Sequence, residues 1–130
     1  MASWDDVRKL ALALPEAVEA PVHGDAAWRV KDKLFLWERP LRKSDLAALG
    51  DAAPSGAILG ARTEHEGAKL ALIEEQPEIY FTIPHFNGYP AVLVRLERIS
   101  LPELEELIVD AWLARAPKRL ADAYLRERGL

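Results

Sequence analysis

A chain of 130 residues, half of them apolar and 29% charged, has the make-up of one soluble globular domain that buries its core without staples. The absence of cysteine excludes disulfides, iron-sulfur clusters and thiol nucleophiles, and no apolar run approaches the roughly 18 residues of a membrane span. A net charge of −4 excludes a surface that grips phosphate backbones all round.

The opening Met-Ala-Ser-Trp-Asp-Asp carries acidic residues where a secretory signal needs basic ones, so the expected location is the cytoplasm. Ser3 and Asp6 have capping-box spacing, and Val7, Leu10, Ala11 and Leu14 recur at helical spacing until Pro15, which predicts a helix over 4–14. Residues 26–31 and 34–39 read as two strands joined by a tight turn at Lys31-Asp32. With a two-residue loop, Val30 faces Lys33 and Trp28 faces Phe35, placing Trp28, Val30, Phe35 and Trp37 on one face. Beyond Pro40, Ser44 is a candidate cap for one helical turn closed by Gly50. Residues 51–56, Ser55 among them, form a loop. A third strand follows over 57–62 and a helix over 64–75, interrupted by Gly67 and stopped before Pro77.

Asn87-Gly88 lies between two β-rich runs, the strongest short-range signal for a hairpin with a type I′ turn. The two-residue register pairs His85 with Pro90. It assigns Phe81, Ile83, Val92, Val94 and Leu96 to a core face, with Tyr80, Phe86, Tyr89 and Arg95 on the other. Pro84 and Pro90 remove ladder donors, so the tip is expected to project or to lie at an edge. Ser100, Pro102 and Glu103 then cap a helix with Leu104, Ile108, Ala111 and Trp112 on one stripe. Ala116-Pro117 breaks it, and a basic helix resumes over 118–128. Strands grouped between helices and joined as hairpins indicate α+β with a mainly antiparallel sheet, in one domain spanning 1–130.

Positive charge is concentrated in two segments. Arg29, Lys31, Lys33, Arg39, Arg42 and Lys43 outnumber Asp32 and Glu38 over 27–43, and five basic residues outnumber Asp122 and Glu127 over 115–128. Chemistry is harder to find. Ser3, Ser44 and Ser100 occupy cap positions, no glycine-rich phosphate loop opens a helix, and His23, His65 and His85 lack metal-ligand spacing. No cofactor, metal site or catalytic constellation is indicated.

Leu14-Pro15-Glu16, Trp28 to Phe35, Thr82 to Pro90 and Trp112 to Leu120, in that order, resemble the MmcQ/YjbR family over nearly the whole chain. The resemblance implies a frataxin- or CyaY-like double-wing fold and a DNA-binding role through two hairpin wings. Here the wings correspond to the hairpins at Lys31-Asp32 and Asn87-Gly88, with Lys31-Asp32-Lys33 in place of the family's usual glycine-rich first turn.

The expected function is therefore non-enzymatic DNA binding, with Arg29, Lys31, Lys33, Arg42, Lys43, His85, Asn87, Tyr89, Arg95, Lys118 and Arg119 as candidate contacts. Two alternatives stand beside it: a protein-interaction module presenting the aromatic hairpin face or the last helix, and weak metal binding by acidic residues near the first helix. Convergence of the two basic segments beside the second hairpin favours nucleic acid, and their separation favours a protein partner.

Overall fold

In the computed structural model, which describes residues 2–54 and 56–129, the capping box forms as expected. The Asp6 amide donates to Ser3 Oγ at 3.3 Å and the Ser3 amide to Asp6 Oδ2 at 2.9 Å, satisfying two end amides of helix α1 (Trp4–Leu12) reciprocally. Ser55 lies outside the described residues. Glu16, at φ 56°, turns the chain into β1 (Ala17–Glu19), a strand absent from the sequence reading.

Strands β2 (Ala27–Val30), β3 (Lys33–Glu38), β4 (Ile58–Arg62), β5 (Tyr80–Phe81) and β6 (Ala91–Arg95) complete a six-stranded sheet in the order β1-β2-β3-β4-β6-β5. Every pairing is antiparallel, so the expected α+β class holds. The remaining helices are α2 (Lys43–Leu49), α3 (Glu66–Glu75), α4 (Leu101–Arg115) and α5 (Lys118–Glu127). No helix among the described residues is long and apolar enough to cross a membrane.

Alternate residues of the strands feed two clusters. Leu59, Val92 and Val94 face the helices and pack with Trp28, Leu104, Ile108 and Trp112, each burial worth about 1.5–3 kcal/mol for a large side chain. Ile58, Phe81 and Leu93 point the other way and form a smaller cluster with Ile83 and Phe86, flanked by Trp37, Leu41 and Leu49.

Both hairpins depart from their expected registers. At the first, Lys31 (φ 49°) and Asp32 (φ 68°) form the type I′ turn without any glycine, and Val30 pairs with Lys33 as predicted. One step further in, Arg29 pairs with Leu34 and Trp28 with Leu36, which leaves Phe35 as the extra residue of a β-bulge. Phe35 and Leu36 both enter the helix-side core, and Trp37 is thrown onto the opposite face, contrary to the expected grouping.

The second hairpin is not joined by a two-residue turn. Pro84 to Phe86 form a 3-10 turn, and Phe86 to Tyr89 form a type II turn: Asn87 has φ −59° and ψ 128°, Gly88 has φ 77°, and the Tyr89 amide donates to Phe86 O at 3.0 Å. The long connection shifts the register by one, pairing Tyr80 with Val94 and Phe81 with Leu93. Tyr80 therefore joins the helix-side core, and Phe81 with Ile83 moves to the second face. The tip does not project, because Phe86 is buried and folds the loop back over the sheet.

Two caps also differ. Ser44 does not cap α2; Asp45 Oδ2 accepts the Arg42 amide at 2.8 Å instead. Helix α3 starts later than 64, because His65 Nδ1 accepts the Ala68 amide at 3.0 Å and ends the extended segment.

Candidate nucleic-acid interface

The Asn-Gly loop, folded over the second face, encloses a cleft of about 820 Å³ with β3, the segment from Arg39 to Arg42 and the turn from Val22 to Ala26. Aromatic rings form its inner wall: Trp37 and Phe86 lie 6.2 Å apart, Phe86 and Tyr89 6.0 Å apart, and His85 meets Phe86 edge-on at 4.9 Å. Trp37 reaches this position because Gly60, its partner on β4, has no side chain; a Cβ there would collide with the indole.

Three buried or half-buried cations fix the wall. Arg39 is nearly inaccessible, pairs with Asp45 at 3.1 Å and lies 5.6 Å from the Phe86 ring centroid. Lys69 rises from α3 with 1% exposure and donates to Phe86 O at 2.5 Å and Tyr89 O at 2.9 Å, clamping both ends of the type II turn. Burial lowers the Lys69 pKa from its ordinary value, and the Glu66 charge opposes the shift. Arg62 stacks on Tyr89, 4.8 Å from the ring centroid, and donates to the Tyr89 hydroxyl at 2.9 Å. Its pKa is lowered chiefly by burial, with the Arg115 charge adding to the shift.

Of the residues expected to contact DNA, Arg42, His85, Asn87 and Tyr89 line this cleft, and Lys43 opens α2 directly beyond Arg42. Arg42, Lys43, His85 and Asn87 are exposed, and Tyr89 is 43% exposed. Arg29 lies half-buried on β2 opposite Leu34. Lys31 and Lys33 are exposed at the type I′ turn, with Lys31 paired to Glu16 at 2.6 Å. Arg95 stands apart at the end of β6, 4.5 Å from the Phe81 ring centroid and donating to Pro77 O at 3.0 Å, its pKa lowered by burial and by Arg98. Lys118 and Arg119 begin α5 in the helix layer, on the other side of the sheet. The two basic segments therefore do not line one cleft, a separation that counts toward a protein partner and leaves the DNA reading to rest on the cleft alone.

Three contributors escaped the sequence reading. Trp37 and Arg39 were reached only through the bulge and the buried Asp45. Lys69 had a visible signal: it shares a helical stripe with Leu72, Ile73 and Gln76, where a lone lysine needs a buried acceptor. Near the first helix, Asp6 is engaged in capping, Asp5 pairs with Arg8 at 3.3 Å, and Glu19 binds Arg8 at 2.9 Å and the Trp28 indole at 3.0 Å. Among the described residues no group of three histidine, aspartate or glutamate side chains is placed to hold a metal ion.

The YjbR family model matches residues 12–114. The uncharacterized proteins Rv2570 of Mycobacterium tuberculosis and Mb2600 of Mycobacterium bovis are each 54% identical over 132 residues, covering 99% of this chain and all of theirs. The crystal structure of Deinococcus radiodurans protein DR2400, a DUF419 domain, superposes with a TM-score of 0.68 over all of this chain and 90% of its own, at 21% identity, a likeness of fold. By its family match and its full-length relatives, the chain belongs to the YjbR family.

Proposed function

We propose that this chain is a non-enzymatic DNA-binding protein that holds DNA in the cleft between the Asn-Gly loop and the segment from Arg39 to Lys43. The observation that supports this reading is the cleft itself, which sets exposed His85 and Tyr89 beside Trp37 and Phe86, with Arg42 in its lining, Lys43 next in sequence, and Asp25 and Glu38 as the carboxylates that share the site. Aromatic faces accept stacked bases of any sequence, and the neighbouring cations meet phosphates. A loop lying on the sheet leaves a concave surface rather than a convex wing, which suits unstacked bases better than the groove of a duplex. Lys31, held by Glu16, and Lys33 at the first hairpin lie outside the cleft lining, and Lys118 and Arg119 contribute nothing there.

Fluorescence anisotropy with a labelled single-stranded 12-mer and its duplex, at two salt concentrations, tests the reading. Binding should favour the single strand and weaken with salt at a slope of about −0.7 per phosphate contacted. Arg42→Ala with Lys43→Ala should lower the affinity about tenfold with the fold intact. Absence of binding by either form at tens of micromolar protein contradicts the proposal.

A further inference from the structure

A second cavity, of about 760 Å³, opens on the helix side between α3, α4 and α5. Its floor is apolar: Leu72 from α3, Leu107 and Leu113 from α4, and Leu125 from α5. Alanines keep it open, since Ala68, Ala71, Ala114 and Ala121 stand where longer side chains would close the gap. Helix α3 rests on β5 and β6, which leaves the space between it and α4 unfilled.

The rim is acidic on both sides. Glu64 and Glu75 stand on the α3 side, and Glu103, Glu106 and Asp110 on the α4 side. Glu103 is engaged internally, accepting from the Tyr80 hydroxyl at 2.5 Å and the Gln76 amide at 2.7 Å. Glu64, Glu75, Glu106 and Asp110 have no hydrogen-bond or ion-pair partner among the described residues. The single cation of the lining, Arg62, is committed to Tyr89. Burial raises the Asp110 pKa above the ordinary carboxylate value, and the Glu106 and Glu64 charges add to the shift.

We infer that this groove docks a basic amphipathic helix of a partner protein, its apolar stripe on the leucine floor and its lysines and arginines against the two acidic rims. Charge complementarity selects the partner's sign, and the apolar floor distinguishes it from a simple polycation. From Glu103 to Ala114 the α4 wall runs about 17 Å, the length of about three helical turns, so the occupant is a segment of about 11 residues. The inference rests on the helix side of the molecule and does not depend on DNA entering the cleft.

The test is an anisotropy titration with a labelled synthetic helix of about 14 residues, leucines at i, i+3, i+4 and i+7 and lysines elsewhere. A scrambled peptide of the same composition and spermine serve as competitors. Micromolar, salt-sensitive binding of the amphipathic helix is expected, with both competitors at least about tenfold weaker. The double variant Glu106→Gln, Asp110→Asn should lose about tenfold in peptide affinity while its thermal midpoint holds or rises, because like charges have been removed. A residue needed only for folding would move the midpoint downward instead. Equal binding of the scrambled peptide or spermine, or full binding by the double variant, overturns the inference.

Discussion

The cleft and the groove are of similar volume on opposite faces of one sheet, but they differ in what their charges are bound to. Around the cleft the buried charges are satisfied within the protein: Arg39 by Asp45, Lys69 by two loop carbonyls. Around the groove four carboxylates stand on the lining with no partner among the described residues. Internally satisfied groups fix a shape at a cost to stability when removed; uncompensated surface charges cost a little stability and leave binding energy for a partner. This difference predicts opposite consequences for substitutions in the two regions.

The largest effect belongs to the cleft. Asp45→Ala strands the Arg39 guanidinium in a site with 6% residue exposure, and should destabilise by about 3–5 kcal/mol in chemical denaturation. Next comes Lys69→Met, which removes the cation from Phe86 O and Tyr89 O. About 2 kcal/mol of stability should go, and amide exchange at Asn87 and Tyr89 should accelerate as the loop loosens. If either substitution proves neutral, the cleft is not held as described.

The smallest effect has the opposite sign and sits in the groove. Asp110→Asn relieves a like-charge contact with Glu106 four residues earlier, and should stabilise by about 0.3 kcal/mol. It also changes the pH dependence. Because the folded pKa of Asp110 is raised, the folded chain binds more protons than the unfolded chain between the ordinary and the raised values, so stability falls as pH rises through that window. Acidification through it should stabilise the wild-type chain more than the Asn variant in parallel thermal melts. Glu19 behaves oppositely: its hydrogen bond from Arg8 lowers the folded pKa, and the stability it contributes is lost as pH falls through that lowered value.

Local signals were legible wherever a few neighbouring residues decide the structure. Ser3 with Asp6, Ser100 with Pro102, the break at Ala116-Pro117 and the two-residue turn at Lys31-Asp32 all form as their spacing implies. Misreadings arose where a distant contact decides. Asn-Gly adopts a type II turn because burial of Phe86 and the Lys69 clamp stretch the connection beyond two residues. The Phe35 bulge leaves no mark in the alternation of apolar residues, yet it moves Trp37 to the other face and thereby builds the cleft. Strand β1 is three residues long, too short for a period to show. The groove escaped for a related reason: its acidic residues are scattered over Glu64, α3 and α4, and only the fold gathers them around one cavity.

Whether DNA enters the cleft, on the sheet face opposite α4, is decided by titrating isotope-labelled protein with single-stranded DNA and following two-dimensional amide NMR. Shifts are expected at residues 37–43 and 85–89, with residues 103–114 of α4 unmoved. Shifts centred on α4 and α5, or none at saturating DNA, would contradict the proposal.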